Sequence, residues 1–130
     1  MQAHAAWVCK KFSFAAAHYL PGHPTCGELH GHNYAVELAL FGEVRDNGMV
    51  IDFGDLKSVY KDRVHAQIDH RYLNMVVSFI PTAENLAAWI HDQVREGLDQ
   101  ILPTGYGRLR VRVWENPDCY AEVFRGMKEG

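Results

Sequence analysis

The candidate strand Arg108 to Glu115 alternates without a break through Val113: Arg108, Arg110 and Arg112 share one parity, and Leu109, Val111 and Val113 the other. Successive side chains of a strand point to opposite sides of its sheet, so this segment is a strand with one apolar and one solvated face. Strands of that kind build antiparallel sheets covered on one side only. The same period, less cleanly, runs from Trp7 to His18, where Val8, Phe12, Phe14 and Ala16 share a parity broken by Lys10. It runs again from His30 to Phe41, through His30, His32, Tyr34, Val36, Leu38 and Leu40. Cys119 to Phe124 returns as a last strand after the Asn116-Pro117-Asp118 turn.

The middle of the chain changes period. Leu56, Val59, Tyr60 and Val64 recur at helical spacing, which predicts a helix over Phe53 to Ala66 with Asp52 as N-cap. Leu86, Trp89, Ile90, Val94 and Leu98 predict a second over Thr82 to Leu98, started by Pro81 and capped by Thr82. Tyr19 to Leu29 reads as a Pro/Gly loop, Asp46-Asn47-Gly48 as a turn, Leu102 to Gly105 as a break, and Ile68 to Phe79 as irregular. The order β-β-α-α-β-β implies an α+β fold: a four-stranded antiparallel sheet with two helices on one face. No repeat or linker divides residues 1–130, so one domain is expected.

Composition narrows the function. Thirteen Lys and Arg against sixteen Asp and Glu leave a formal charge of -3, which gives no general attraction for nucleic acid or anionic lipid. No apolar run approaches a membrane span, and Met1 to Trp7 lacks the regions of a signal peptide. Three separated cysteines, Cys9, Cys26 and Cys119, make no disulfide framework. A protein of a reducing cytoplasm is expected.

The unusual count is histidine. There are 8, and His18, His23, His30 and His32 fall in one stretch. His30-Gly31-His32 puts two imidazoles on one face of a strand, with no bulk between them. His18 continues the inner parity of the first strand. If the first two strands pair, His18, His30 and His32 converge as three ligands for zinc, leaving an open position for chemistry. The alternative is separate hydrogen-bonded or surface histidines. His23 reads as exposed, and His4, His65 and His91 as terminal or helix-surface residues.

Three further positions admit more than one reading. Cys26 is a small buried residue, a fourth ligand that would close a structural site, or a thiolate base beside an open metal. Asp69-His70 is a turn with a capping Asp, or a carboxylate that orients an imidazole for proton transfer. Glu115 has the apolar parity of its strand, so its charge needs a partner. That partner is an Arg of the protein, or the guanidine-like edge of a ligand such as an amino-pyrimidinone.

Phe12-Ser-Phe-Ala-Ala-Ala-His18 followed by Cys26-Gly-Glu-Leu-His30-Gly-His32-Asn-Tyr34 resembles the 6-pyruvoyltetrahydropterin synthase family. The likeness continues through Ile51-Asp-Phe-Gly-Asp-Leu-Lys57, Ile68-Asp-His-Arg-Tyr-Leu-Asn74, Pro81-Thr-Ala-Glu-Asn85 and Val113-Trp-Glu115. The three-residue gap between Cys26 and His30 resembles the bacterial 6-carboxytetrahydropterin synthases of queuosine biosynthesis. The resemblance implies the tunnelling fold, whose small subunits assemble into barrels. It also implies Zn2+ on His18, His30 and His32, Cys26 as general base, and Asp69 and His70 as a relay pair presented by a neighbouring subunit. Glu115 would anchor a pterin, with Thr82 and Glu84 near it. The implied substrate is 7,8-dihydroneopterin triphosphate, and the products are 6-carboxy-5,6,7,8-tetrahydropterin, acetaldehyde and triphosphate. A pyruvoyl product, a non-catalytic zinc-containing pterin-binding module and a GTP-cyclohydrolase-like enzyme are the alternatives. Arg71 stands where some relatives have a second His. Glu28 sits where some branches use a Glu to cleave the side chain, and here reads as a loop residue. Lys10, Lys11 and Arg71 are candidate triphosphate contacts, each also a plain surface charge. A subunit this small leaves sheet edges open and encloses little, so a homo-oligomer, a hexamer or tetramer with sites at subunit boundaries, is expected.

Overall fold

The computed structural model describes residues 2–22, 30–102 and 105–126, except for the side chains of residues 30 and 126. Strand β1 spans Ala5–His18 and β2 His30–Glu43. Helix α1 covers Phe53–Tyr60, runs through a π-helical turn at Lys61–His65, and ends in α2, Ala66–Ile68. Strand β3 is Arg71–Tyr72, α3 a single turn at Leu73–Val76, and α4 the long helix Ala83–Ile101. Strands β4, Arg108–Asn116, and β5, Cys119–Gly126, complete the order.

The sheet runs β3-β1-β2-β4-β5. Its β1–β2 hairpin is in register from Ala5 opposite Glu43 to His18 opposite His30. Strand β4 lies antiparallel to β2, with Val36 opposite Val113 and Leu40 opposite Leu109. The expected parities therefore form one inner face. Phe14, Tyr34, Val36, Leu38, Leu40, Leu109, Val111 and Val113 are buried on it. The helices supply Leu56, Tyr60, Val64, Ile68, Leu86, Ile90, Val94 and Leu98 to the same core. Each such side chain contributes on the order of 1.5–3 kcal/mol by leaving water. Both predicted caps form: Asp52 Oδ1 accepts from Gly54 N at 2.6 Å, and Thr82 Oγ1 from Asn85 N at 3.2 Å. On the open face, Arg110 and Arg112 pair with Glu37 and Glu122.

Three expectations need correction. The sheet has five strands, because Arg71–Tyr72 pairs in parallel with Ala16 and Ala17. A two-residue strand has no alternation to reveal it. His91 is not on the helix surface but fully buried, with Nε2 donating to Leu109 O at 3.1 Å. It lies one turn from Ala87 and Val94, inside the apolar stripe of α4, and a strand carbonyl satisfies Nε2, while the buried Nδ1 makes no hydrogen bond among the described residues. His65 is half-buried and pairs with Asp69 at 3.2 Å.

Candidate active site

The inner face ends in polar side chains at one end of the sheet, where β1 finishes, β2 begins and the antiparallel β4 finishes. His18 and His30 are cross-strand partners, and His32 is the diagonal neighbour of His18. The His18 and His32 rings stand edge-on with centroids 5.1 Å apart. Glu115 arrives from β4 by a different device. Trp114 pairs with Tyr120 but Asn116 with Cys119, so Glu115 is the extra residue of a bulge. A bulge bends its strand and re-aims a side chain. Here Glu115 Oε1 lies 3.1 Å from His18 Nε2 and 3.0 Å from His32 Nε2.

The surroundings settle which His18 nitrogen faces the carboxylate. His18 is fully buried, and its Nδ1 donates to the Pro81 carbonyl at 2.9 Å, with the Tyr34 hydroxyl at 3.1 Å. A neutral ring held that way carries its lone pair on Nε2. That lone pair then faces a carboxylate oxygen, and two acceptors this close need protons or a cation between them. His18, His32 and Glu115 offer donor atoms all within 4.8 Å of one another. Two ligands of a tetrahedral zinc stand about 3.3 Å apart, given bonds of about 2.0–2.1 Å. The donor set therefore fits a metal ion by both type and spacing. Pro81 and Tyr34 do their positioning through one backbone carbonyl and one hydroxyl. Nothing in the sequence marked the carbonyl, and Tyr34 was visible only as an inward-facing aromatic.

Asp69 and His70 form a second cluster, at the sheet edge. Asp69 Oδ1 accepts from Ala15 N at 3.1 Å, and Oδ2 faces His70 Nδ1 at 2.8 Å. The Ala15 amide, before any other contact, holds the Asp69 carboxyl below its ordinary range. His70 has a φ of 58°, in the left-handed region that a non-glycine residue seldom occupies. Its amide donates to Ala15 O at 2.6 Å, which fixes the turn. A carboxylate only accepts, so Nδ1 of His70 carries a proton and Nε2 of the neutral ring is the acceptor. The ring is 81% exposed. A cavity of about 510 Å³ beside it is lined by His70, Arg71, Tyr72, Asn33 and the small residues Ala15, Ala17 and Gly31.

The remaining predicted residues divide. Cys26, Glu28 and His23 lie outside the described residues, as does the His30 side chain, although the His30 backbone is paired opposite His18. Glu84 and Glu115 line one cavity of about 380 Å³ with Cys119 and Tyr120, while Thr82 caps α4 beside it. An Arg partner for Glu115, one of its two readings, is not observed among the described residues; its carboxylate faces His18 and His32. Lys10 Nζ sits 5.7 Å from the Phe12 ring centre and Lys11 Nζ 4.4 Å from that of Trp114.

Fold and site together define an α+β protein of two layers, with an imidazole–carboxylate donor cluster at one end of its sheet. The chain belongs to the 6-pyruvoyl tetrahydropterin synthase family, whose pattern matches residues 7–126. An Archaeoglobus fulgidus relative, provisionally named a 6-carboxy-5,6,7,8-tetrahydropterin synthase, is 45% identical over 113 residues, covering 87% of this chain and 90% of its own. A Pyrococcus furiosus dihydroneopterin monophosphate aldolase is 36% identical over 118 residues, covering 91% and 96%. The solved structure of Plasmodium falciparum 6-pyruvoyl tetrahydropterin synthase superposes with a TM-score of 0.83 at 25% identity, over 95% of this chain and 99% of that one. The subunit architecture is that of the tunnelling fold, with an open five-stranded sheet. No helix among the described residues is long and apolar enough to cross a membrane.

Proposed function

We propose that this chain, as a single domain over residues 1–130, is a zinc-dependent 6-carboxy-5,6,7,8-tetrahydropterin synthase of the queuosine route. It would convert 7,8-dihydroneopterin triphosphate and one water to 6-carboxy-5,6,7,8-tetrahydropterin, acetaldehyde and triphosphate. The observation that carries the reading is the convergence of His18, His32 and Glu115 donor atoms in a chain of this family. His18, His30 and His32 are the proposed zinc ligands. Zinc supplies Lewis acidity toward the side-chain hydroxyls of the substrate.

The protein's own residues divide the remaining work. Cys26 removes the carbon-bound proton beside a substrate hydroxyl. His70, oriented by Asp69, presents a bare Nε2 that accepts and returns protons at the side-chain oxygens. Glu115 turns from the imidazoles to accept two hydrogen bonds from the amino-pyrimidinone edge, with Glu84 and Thr82 beside the ring. The exposure of His70 at the sheet edge supports a homo-oligomer in which one subunit's relay pair serves a neighbour's zinc. The product test uses zinc-loaded protein and 7,8-dihydroneopterin triphosphate. Stoichiometric acetaldehyde with 6-carboxytetrahydropterin is the expected result; a pyruvoyl product without acetaldehyde would reject the synthase assigned here.

The 36% identity to the Pyrococcus aldolase favours a second reading, retro-aldol cleavage of a phosphorylated dihydroneopterin. Glu28 is the residue to examine for it. Its signature is glycolaldehyde phosphate released from the monophosphate, in place of acetaldehyde from the triphosphate.

A further inference from the structure

We infer that His65 is a positioning residue for the Asp69–His70 pair: two imidazoles share one carboxylate, and His65 fixes the rotamer of Asp69 that selects the proton-accepting nitrogen of His70. This rests on the reading of Asp69 and His70 as a relay. The geometry is local and one-sided: the buried Nδ1 of His65 has no hydrogen-bond partner among the described residues, and Nε2 is the nitrogen turned to Asp69. His65 Nε2 lies 3.2 Å from Asp69 Oδ2, the same oxygen that faces His70 Nδ1 at 2.8 Å. The backbone repeats the link, because Asp69 N donates to His65 O at 3.0 Å. Ala15 N holds the other carboxylate oxygen at 3.1 Å, so Asp69 is gripped from β1, from the helix and from its own turn.

His65 is itself held in place. It closes the π-helical turn Lys61–His65, a departure from α geometry that re-phases the helix just where Asp69 must be met. Its ring packs 5.9 Å from that of Tyr60, which is fully buried and stacked on Phe12 at 4.0 Å. Burial, then the charge of Asp69, pushes the Tyr60 hydroxyl well above its ordinary pKa, so Tyr60 stays neutral and adds no competing charge. Since Asp69 only accepts, a neutral His65 must be the Nε2–H tautomer. Without that donor, Asp69 Oδ2 keeps one imidazole partner in place of two. The carboxylate gains a rotamer, and the His70 ring loses its reason to keep the proton on Nδ1.

The experiment is ring-nitrogen NMR of histidine-labelled full-length protein, with steady-state kinetics alongside. In the unaltered protein His65 should report the Nε2–H tautomer and His70 the Nδ1–H tautomer. In His65→Leu, His70 should become a mixture of tautomers, and kcat should fall about tenfold with KM and bound zinc unchanged. His65→Gln, which restores an amide donor, should recover most of both. A His65 found as the Nδ1–H tautomer in the unaltered protein overturns the inference whatever the variants do. An unchanged His70 tautomer in a folded His65→Leu overturns it as well. The tautomers are read without substrate, so a protein that makes no pterin product but has the expected tautomers refutes the functional reading alone.

Discussion

The two polar clusters of this protein are built in opposite ways. The His18–His32–Glu115 cluster is an interior product of sheet register: three strands, one parity and one bulge deliver it, and His18 is fully buried. The Asp69–His70 pair is an edge product of local backbone: a left-handed residue and two hydrogen bonds to Ala15 deliver it, with the imidazole in solvent. The backbone of the first is rigid because moving it means unpairing a sheet, which leaves only the Glu115 side chain free to turn. The second is accessible because it belongs to a turn. A reaction that needs a fixed Lewis acid and a mobile proton has reason to use both.

That contrast can be broken by substitution. The largest effect is expected at the interior cluster: His32→Ala should lower metal content to a small fraction of one per chain and abolish pterin turnover, read by metal analysis and product assay. At the edge, His70→Ala should lower kcat by about 10²–10⁴-fold, with metal content and melting temperature unchanged. Loss of metal in that variant would mean that the two clusters are one. Tyr34→Phe should be smaller: it removes a hydroxyl beside His18 Nδ1, and metal affinity should fall about 10–100-fold while the sheet stays intact.

The smallest effect concerns stability. Burial, then the charge of Arg125, holds the His91 pKa below its ordinary value of 6.5. A histidine depressed in the folded state binds its proton in the unfolded chain first. Its contribution is therefore complete above about pH 6.5 and is lost as pH falls below that value. The melting temperature should drop by a few degrees between pH 7 and 5.5, and less steeply in His91→Gln.

Sequence reading recovered whatever a period could encode. The strand parities placed His18 and His32 on one face and paired the His30 backbone opposite His18, and Asp52 and Thr82 capped the helices they were expected to cap. The parity of Glu115 also turned it inward, but the inverted pair Trp114-Glu115 does not by itself reveal a bulge, since an extra residue is seen only against its partner strand. His91 was misread because a polar residue inside an apolar stripe looks like the stripe's border. His65 lies beside the buried Val64 and is half-buried, and its pairing with Asp69 is a contact that helical spacing does not show. The two-residue β3 depends on tertiary pairing with β1, which no local pattern anticipates.

The hairpin register also fixes an order of assembly in time. His18 and His30 face each other across a hairpin that is complete by Glu43, whereas Glu115 belongs to nearly the last strand. During synthesis the His18 and His32 imidazoles leave the ribosome before Glu115, and their contact across the β1–β2 pair is local in sequence. The carboxylate can reach them only once β4 has been made and has docked against β2.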